Sequence, residues 1–268
     1  AGVSSTETRR LLTEGDVLVV GFGCAGACAA IEAAEAGAEV LVLERSGGGG
    51  GTSALSGGLI YMGGGTPVQE ACGYRDTVDG MVTFLMAACG PAPDEAKVRV
   101  FCEESVAHFH WLERHGVPFK RSFYPEPSME PPTDDCLVYS GGEDAYPFDT
   151  LTPPVPRAHK PQHPNAAGGF LMQKLVAATE QSGAAVLCDA RAETLVVERD
   201  GRVAGVVARY DGTEHLIRAR RGVILTAGGF IQNDDMIRRH SPLLHKCSFR
   251  LGVDGDDVVR GHRFERAV

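Results

Sequence analysis

Residues 16–46, "DVLVVGFGCAGACAAIEAAEAGAEVLVLERS", decide the fold. An apolar run ends in a glycine-rich turn, an alanine-rich segment follows, and a second apolar run ends at an acidic residue. Short apolar runs on either side of a helical segment are typical of a strand–helix–strand unit with two parallel strands. The stretch therefore predicts an α/β fold built on a parallel sheet.

Three glycines between the first strand and the helix form a GxGxxG motif, namely Gly21, Gly23 and Gly26. In such a unit the first glycine allows a tight turn, the second lets the backbone approach a pyrophosphate, and the third lets the helix pack closely on the strand. Glu44 ends the second strand, where an acid accepts hydrogen bonds from an adenosine ribose and disfavours a 2′-phosphate. We therefore predict a dinucleotide site, and one that disfavours NADP.

Composition and charge exclude several classes of protein. The 268 residues are 43% apolar and 23% charged, as in an ordinary soluble protein of one large domain or two smaller ones. A net charge of −9 argues against a nucleic-acid surface, and no apolar run approaches the length of a membrane span. The eight cysteines form no CxxC pair, so we expect no metal site and a reducing, cytoplasmic location. Residues 1–15 are expected to be a loose leader.

A glycine-rich stretch, "SGGGGGTSALSGG", follows the strand–helix–strand unit at residues 46–58. A flexible linker is one interpretation. The other is a ligand loop, because its hydroxyl groups and glycine amides suit a pyrophosphate and the edge of a flavin. An NAD-binding domain would continue with further strand–helix repeats, whereas this chain does not, so FAD is preferred and an NAD-dependent dehydrogenase is the lesser alternative.

The middle of the chain is predicted to be helical and then irregular. One core helix is expected from Asp94 to Gly116, and its buried face would carry Val98, Phe101, Ser105, Phe109 and Leu112. Residues 117–167 are rich in proline and acid, so they form either a surface excursion or rigid loops around a pocket. The candidates for substrate contact there are Tyr124, His159 and His163.

Strands are again predicted after residue 190. Asp-Gly pairs at 200–201 and 211–212 separate β-branched runs, which predicts a three-stranded meander over 192–199, 203–210 and 213–219. A buried strand is expected from Val223 to Thr226, ending in two glycines.

Four motifs in this order resemble those of the FAD-dependent fumarate reductase and 3-ketosteroid Δ1-dehydrogenase flavoproteins. They are GxGxxG with Glu44, "GGTSALSGG", "GGGTPVQ" and "VILTAGGF", and the resemblance covers roughly residues 14 to 245. It implies a Rossmann-like FAD-binding domain over residues 1–232, with a helical and proline-rich insertion at about 68–182. Residues 233–268 would be the truncated start of a capping domain or an irregular tail.

The resemblance also implies a set of residues that bind FAD: Gly21, Gly23, Cys24, Ala25, Gly26, Glu44, Arg45, Ser46, Thr52, Ser53, Ser56, Gly57, Gly58, Arg191, Ala192, Thr226, Ala227 and Gly228. Some members attach FAD covalently through a histidine at the position of Gly51, so we expect non-covalent FAD here. The implied reaction is hydride transfer between flavin N5 and a C–C bond next to a carbonyl or carboxylate. The implied substrate is a steroid-like enone or a dicarboxylate.

The family pattern is lost near the end of the sequence. "VDGDDVVRGHRFERAV" begins a Gly-Asp turn and then departs from the pattern, so we expect a truncated or frame-shifted reading frame. The family's proton-transfer residues lie in the part that is not matched, and we assign no catalytic residue. The alternative function is a non-catalytic flavin-binding fragment that binds its cofactor weakly or needs a partner chain.

Overall fold

A computed structural model describes residues 10–126, 128, 130–247 and 250. In chain order the elements are β1 (Arg10–Val20), α1 (Cys24–Glu35), β2 (Val40–Leu43), α2 (Gly51–Ala54), β3 (Ile60–Tyr61), α3 (Pro67–Ala71), α4 (Val78–Ala88), α5 (Glu95–Glu103), α6 (Ser105–Arg114), β4 (Leu137–Val138), β5 (Ala158–His159), α7 (Gly168–Gln181), β6 (Ala185–Leu187), β7 (Arg191–Val197), β8 (Val203–Tyr210), β9 (Thr213–Leu225) and α8 (Asp234–His240). The chain divides into two compact units, one comprising Ala1–Ser53 and Leu175–Val268, the other Ala54–Lys174.

The first unit contains a six-stranded sheet in the order β6-β2-β1-β9-β8-β7. The pairs β6-β2, β2-β1 and β1-β9 are parallel. The pairs β9-β8 and β8-β7 are antiparallel and form the meander. The predicted α/β class, with a parallel sheet and a β-meander, is confirmed.

Burial explains why the quoted stretch folds as predicted. All four residues of β2, "VLVL", are buried, as expected of a parallel strand with both faces covered. Helix α1 buries Gly26, Ala27, Ala30 and Ile31, and the small side chains on that face let the helix lie close to the sheet. Leu18 and Leu43 belong to the same core as Val206 and Ile217 of the meander.

Two strand predictions need correction. Residues 10–15 belong to β1 rather than to a loose leader, and residues 1–9 lie outside the described part of the chain. The third meander strand and the expected strand at 223–226 are one continuous strand, β9. That second half is not buried, because Ile224 and Leu225 are 39% and 44% exposed.

The exposure of the end of β9 follows from the register of the sheet. Strand β8 pairs with β9 only from Thr213 to Arg218, whereas β1 pairs with it as far as Leu225. Within the described residues, no strand lies beside residues 222–225 on the side away from β1. Residues 222–225 thus have a neighbouring strand on one edge only, and the apolar side chains at the end of β9 stay partly exposed.

The second unit contains a three-stranded antiparallel sheet, β3-β5-β4, and the helices α3 to α6. The single helix expected from Asp94 to Gly116 is wrong, because α5 ends and α6 begins at Glu104. The break changes which residues face inward: Cys102 is buried and Phe101 is 48% exposed, while Ser105, Phe109 and Leu112 are buried as expected.

Lys160 fixes the proline-rich segment of the second unit. Its ammonium group is buried and donates to the carbonyl oxygens of Pro131, Thr133 (2.5 Å) and Asn165 (3.2 Å). Burial lowers the pKa of this lysine, and the nearby carboxylates of Glu130 and Asp135 oppose that shift. The Lys160 ammonium group therefore ties Pro131 and Thr133 to Asn165 within the proline-rich segment.

His159 is a structural residue rather than a substrate contact. Its side chain is fully buried. Nδ1 donates to the carbonyl oxygen of Arg157 at 2.9 Å, so Nε2 accepts from the Thr66 hydroxyl at 2.7 Å. This arrangement requires the neutral ring, and burial lowers the pKa of His159 from 6.5 to about 4.

We predict that the second unit loses stability in mild acid because of His159. A histidine whose pKa is lower in the folded than in the unfolded state stabilises the fold fully above the unfolded value. That contribution is lost as the pH falls from about 6.5 towards about 4, and it amounts to about 3 kcal/mol. Urea unfolding at several pH values measures this slope.

The variant His159→Gln should show a flatter dependence of unfolding free energy on pH over that range. The matched control is His110→Gln, since the His110 side chain is 50% exposed. Equal slopes for the wild type and the His159 variant would refute the assignment.

Candidate functional site

The first unit has a cavity of about 300 Å³ at the carboxyl ends of β1, β2 and β9. Ligands bind at this edge in open α/β sheets, and ligand pockets range from roughly 300 to 1,000 Å³. The lining residues are Val20, Gly21, Phe22, Gly23, Cys24, Ala25, Leu43, Glu44, Arg45, Ser46, Gly51, Thr52, Ser53, Ala190, Ala192, Thr226, Ala227, Gly228, Gly229 and Ile231.

The amino-terminal end of α1 opens on this cavity. Gly23 is the N-cap residue and offers no side chain to cap the helix. The Cys24 amide donates to Ser53 Oγ at 3.2 Å, and the intrahelical bonds begin only with the Ala27 amide. Among the described residues, the amides of Ala25 and Gly26 have no acceptor. Such amides, together with the helix dipole, form a binding site for anions, and phosphates above all.

Close backbone packing sets the position of that helix end. A Cβ on Gly26 would lie 1.9 Å from Gly21 O and 2.9 Å from Thr226 Oγ1, so only glycine fits. Gly21 has a φ of +100°, and a Cβ there would lie 2.6 Å from Thr226 O. The Thr226 hydroxyl donates to the carbonyl oxygens of Val20 and Gly21, at 2.8 and 2.9 Å. The threonine thus ties β9 to the turn and uses its own hydroxyl in doing so.

The backbone orients Glu44 at the wall of the cavity. Its side chain is 8% exposed. Oε2 accepts from the Phe22 amide at 2.8 Å and Oε1 from the Ser46 amide at 2.9 Å. Each carboxylate oxygen keeps a further lone pair for another donor, so the geometry leaves Glu44 able to accept a hydroxyl group of a bound ligand.

The structure brings most of the predicted site residues together in the first unit. The cavity is lined by Gly21, Gly23, Cys24, Ala25, Glu44, Arg45, Ser46, Thr52, Ser53, Ala192, Thr226, Ala227 and Gly228. Gly26 lies behind the cavity wall, against the turn. Arg191, at the start of β7, and the segment Ser56, Gly57 and Gly58 are not among the lining residues.

The segment 56–58 belongs to the second unit. The Ser56 and Gly57 carbonyl oxygens accept from the Gly168 and Ala167 amides at 3.1 and 2.9 Å, at the start of α7. Gly58 has a φ of +75°, and a Cβ there would lie 2.6 Å from the Gly168 nitrogen. Gly58 is thus required by local packing, whatever its role towards a ligand.

Several lining residues were missed in the sequence analysis. They are Val20, Phe22, Leu43, Gly51, Ala190, Gly229 and Ile231. Most of them directly adjoin a predicted motif at the carboxyl end of a strand, and that position was the available signal. Of the other candidates, Tyr124 is half-buried, with its amide bonded to Leu137 O, and His163 stacks on Phe170 at 5.1 Å between ring centroids.

The groups present fit FAD as a cofactor. Ala25 and Gly26 would bind the pyrophosphate, and Glu44 would accept the ribose hydroxyls. Gly51, with a φ of +50° and open space around its Cβ position, offers no nucleophile for a covalent bond. In the described part of the chain no group of His, Cys, Asp and Glu side chains could hold a metal ion, and no helix there is long and apolar enough to cross a membrane.

Comparison with known proteins identifies the family. A model described as an FAD binding domain matches residues 16–259. The chain is 40% identical, over 197 residues, to a 3-oxo-5-alpha-steroid 4-dehydrogenase of Comamonas testosteroni, covering 71% of this chain and 36% of that protein. It is 28% identical, over 246 residues, to a probable fumarate reductase of Shewanella frigidimarina, covering 91% and 37% respectively.

Comparison with solved structures indicates the same family. The 3-ketosteroid-Δ4-(5α)-dehydrogenase of Rhodococcus jostii RHA1, in complex with 4-androstene-3,17-dione, superposes with a TM-score of 0.90 at 49% identity and covers 95% of this chain. The open form of a flavocytochrome c3 fumarate reductase gives a TM-score of 0.76 at 27% identity, over 93% of this chain.

The chain spans 54% of the length of the steroid dehydrogenase structure and 40% of that of the fumarate reductase structure. The resemblance inferred from the four sequence motifs is confirmed. The chain belongs to the FAD-binding oxidoreductase family that includes 3-ketosteroid dehydrogenases and fumarate reductases, and its cofactor is FAD.

Proposed function

We propose that this chain is an FAD-binding oxidoreductase that acts on a C–C bond next to a carbonyl or carboxylate group. The observation that carries the proposal is the open amino-terminal end of α1 at the carboxyl edge of the sheet, facing a cavity. FAD, when bound, supplies hydride transfer at its N5 atom. The chain itself contributes binding and orientation.

Each part of the cavity has a distinct role in this proposal. The amides of Ala25 and Gly26 bind the pyrophosphate, and the buried carboxylate of Glu44 fixes the adenosine ribose. The bend between β9 and Gly228, which has a φ of +86°, brings backbone close to the ligand without a side chain in the way. No proton donor or acceptor for the substrate is assigned.

A 3-oxo steroid is the favoured substrate class. The steroid dehydrogenase structure shares 49% of its aligned residues with this chain, against 27% for the fumarate reductase structure. The name of the first protein and its ligand, 4-androstene-3,17-dione, both indicate the C4–C5 bond of a 3-oxo steroid. A dicarboxylate is the lesser alternative.

The proposal also covers the attachment of FAD, the location of the protein and the bounds of its domains. FAD is held without a covalent bond, because Gly51 stands where a histidine would be needed. The protein is cytoplasmic, since its eight thiols are all free and suit a reducing compartment. The dinucleotide-binding domain comprises residues 1–232, with the insertion at about 68–182, and a further segment begins at 233. Its electron-transfer partner is not assigned.

A second candidate function is a flavin-binding module that needs additional polypeptide. Nanomolar binding corresponds to roughly 12 kcal/mol, whereas a helix terminus contributes about 0.3–1 kcal/mol to anion binding, and up to about 2 when partly buried. The open edge at residues 222–225 favours this candidate, because the exposed Ile224 and Leu225 are suited to packing beneath another β-strand.

We predict that Ala25→Glu weakens FAD binding at least tenfold without loss of stability. The side chain at this exposed position would place a negative charge beside the pyrophosphate. The same charge in the first turn favours the helix by about 0.3–1 kcal/mol, so thermal unfolding of the protein without cofactor should be unchanged or slightly raised.

The matched control is Ala36→Glu, which adds the same charge at the exposed opposite end of α1. Fluorescence titration with FAD should show wild-type affinity for this control. Equal affinities for all three proteins would exclude the helix terminus as the pyrophosphate site.

We predict that the FAD-loaded protein is bleached anaerobically by a 3-oxo-5α-steroid and passes electrons to an artificial dye. Acid precipitation should release the flavin into the supernatant, because no covalent bond holds it. Absorbance spectroscopy follows both results. A coloured pellet would contradict non-covalent binding.

Three outcomes separate the candidate functions. Bleaching by the steroid supports a steroid dehydrogenase. If the steroid does not bleach the flavin and fumarate reoxidises the reduced flavin, a dicarboxylate becomes the proposed substrate. A yellow protein that is inert towards both substrates supports the flavin-binding module.

A further inference from the structure

The ring of Phe22 lies against the glycine-rich segment 47–53, which belongs to the same unit. Phe22 is the first variable residue of the GxGxxG motif, lines the cavity and is only 2% exposed. A Cβ on Gly49 would lie 2.5 Å from its Cδ1 and 2.9 Å from its Cγ and Cε1. A glycine hydrogen is therefore the largest group that fits between the backbone at position 49 and the ring.

The contact with the ring, and not the backbone conformation, requires glycine at position 49. Gly50 has a φ of +136° and Gly51 one of +50°, where side chains are strained. Neither Gly48 nor Gly49 has a positive φ. A Cβ on Gly48 would meet no atom within 4 Å. These two neighbouring glycines thus differ in the contact with Phe22, which makes position 48 a matched control.

Two hydrogen bonds and a second close approach extend this contact to the end of α1. The Gly50 amide donates to the Phe22 carbonyl oxygen at 2.8 Å. The Cys24 amide donates to Ser53 Oγ at 3.2 Å. A Cβ on Gly23 would lie 3.3 Å from the same Ser53 oxygen. The second glycine of the motif therefore also lets the glycine-rich segment reach the helix end.

These contacts hold segment 47–53 in place before a ligand binds. Thr52 and Ser53 of this segment line the cavity, as does the start of α1. A flexible loop that becomes ordered on binding weakens the affinity, because its conformational entropy is lost, whereas a loop that is already ordered avoids that loss. The ring of Phe22 supplies an order that a glycine-rich composition does not supply by itself.

We propose that Phe22 is a positioning residue for FAD. Its ring, packed on Gly49, holds segment 47–53 against the amino-terminal end of α1, so that the hydroxyl groups of this segment and the helix amides face one pyrophosphate. The inference rests on the proposed function, which places the pyrophosphate at the helix end, and it adds the reason why residue 49 is glycine.

The variant Gly49→Ala tests the proposal, with Gly48→Ala as its control. The added methyl group at position 49 collides with the ring and displaces the segment, so we expect FAD affinity to fall about tenfold or more. The methyl group at position 48 meets no atom, and that variant should bind FAD as the wild type does. Fluorescence titration with FAD measures all three dissociation constants.

A double-mutant cycle identifies the ring as the cause. Phe22→Ala should itself weaken FAD binding, because the segment loses its support. Gly49→Ala should then add no further loss, because its methyl group no longer meets a ring. Losses that add independently would overturn the proposal. If one of the two single variants does not fold, the other still decides, since unchanged FAD affinity in either of them contradicts the proposed role.

Thermal unfolding without FAD separates positioning from general stability. Gly49 is exposed, so the segment can move outward, and cofactor-free Gly49→Ala should unfold at nearly the wild-type temperature. A variant that loses stability but keeps its FAD affinity would show a merely structural contact and overturn the inference. A wild-type protein that binds no FAD would instead refute the proposed function.

Discussion

The site depends on the contact between α1 and the end of β9. Gly26 lies so close to Gly21 and Thr226 that no Cβ fits at its position. This contact directs the unpaired amides of the helix into the edge of the sheet where β1, β2 and β9 end. A side chain at position 26 would push the helix away from Gly21 and Thr226, and the amides at its amino-terminal end would move with it. The binding geometry is therefore a consequence of backbone packing, and few side chains take part in it.

Two glycine-rich loops that look alike in sequence differ in what their amides bind. In the loop at 63–66, the Gly63 amide donates to Ser105, that of Gly64 to Asp76, and those of Gly65 and Thr66 to Gln69. The protein's own side chains fill this loop, and the buried ion pair of Asp76 with Arg157 completes it. Residues 51–53 of the other loop line the cavity. Glycine content alone does not distinguish the two.

The sequence predicted the structure correctly where local chemistry has one solution. GxGxxG between two apolar runs, closed by an acid, specified the order of β1, α1 and β2, and Asp-Gly pairs specified the meander. The prediction failed where contacts between distant parts of the chain determine the structure. No proline or glycine marks the break at Glu104, since that residue keeps helical backbone angles while it ends one helix and starts the next. The exposure of Leu225 depends on the residue at which β8 stops pairing with β9. The apolar pattern of β9 does not reveal that residue.

The pairing of β1 with β9 bears on how the polypeptide acquires its native state. Thr226 Oγ1 donates to Gly21 O across 205 positions of the chain, so the cavity cannot form until almost the whole described sequence has left the ribosome. Contacts between such distant positions slow folding, because a long loop must close before they form. The second unit is one uninterrupted segment and has no such requirement. We therefore expect it to become ordered early in synthesis, and the nucleotide pocket to mature last.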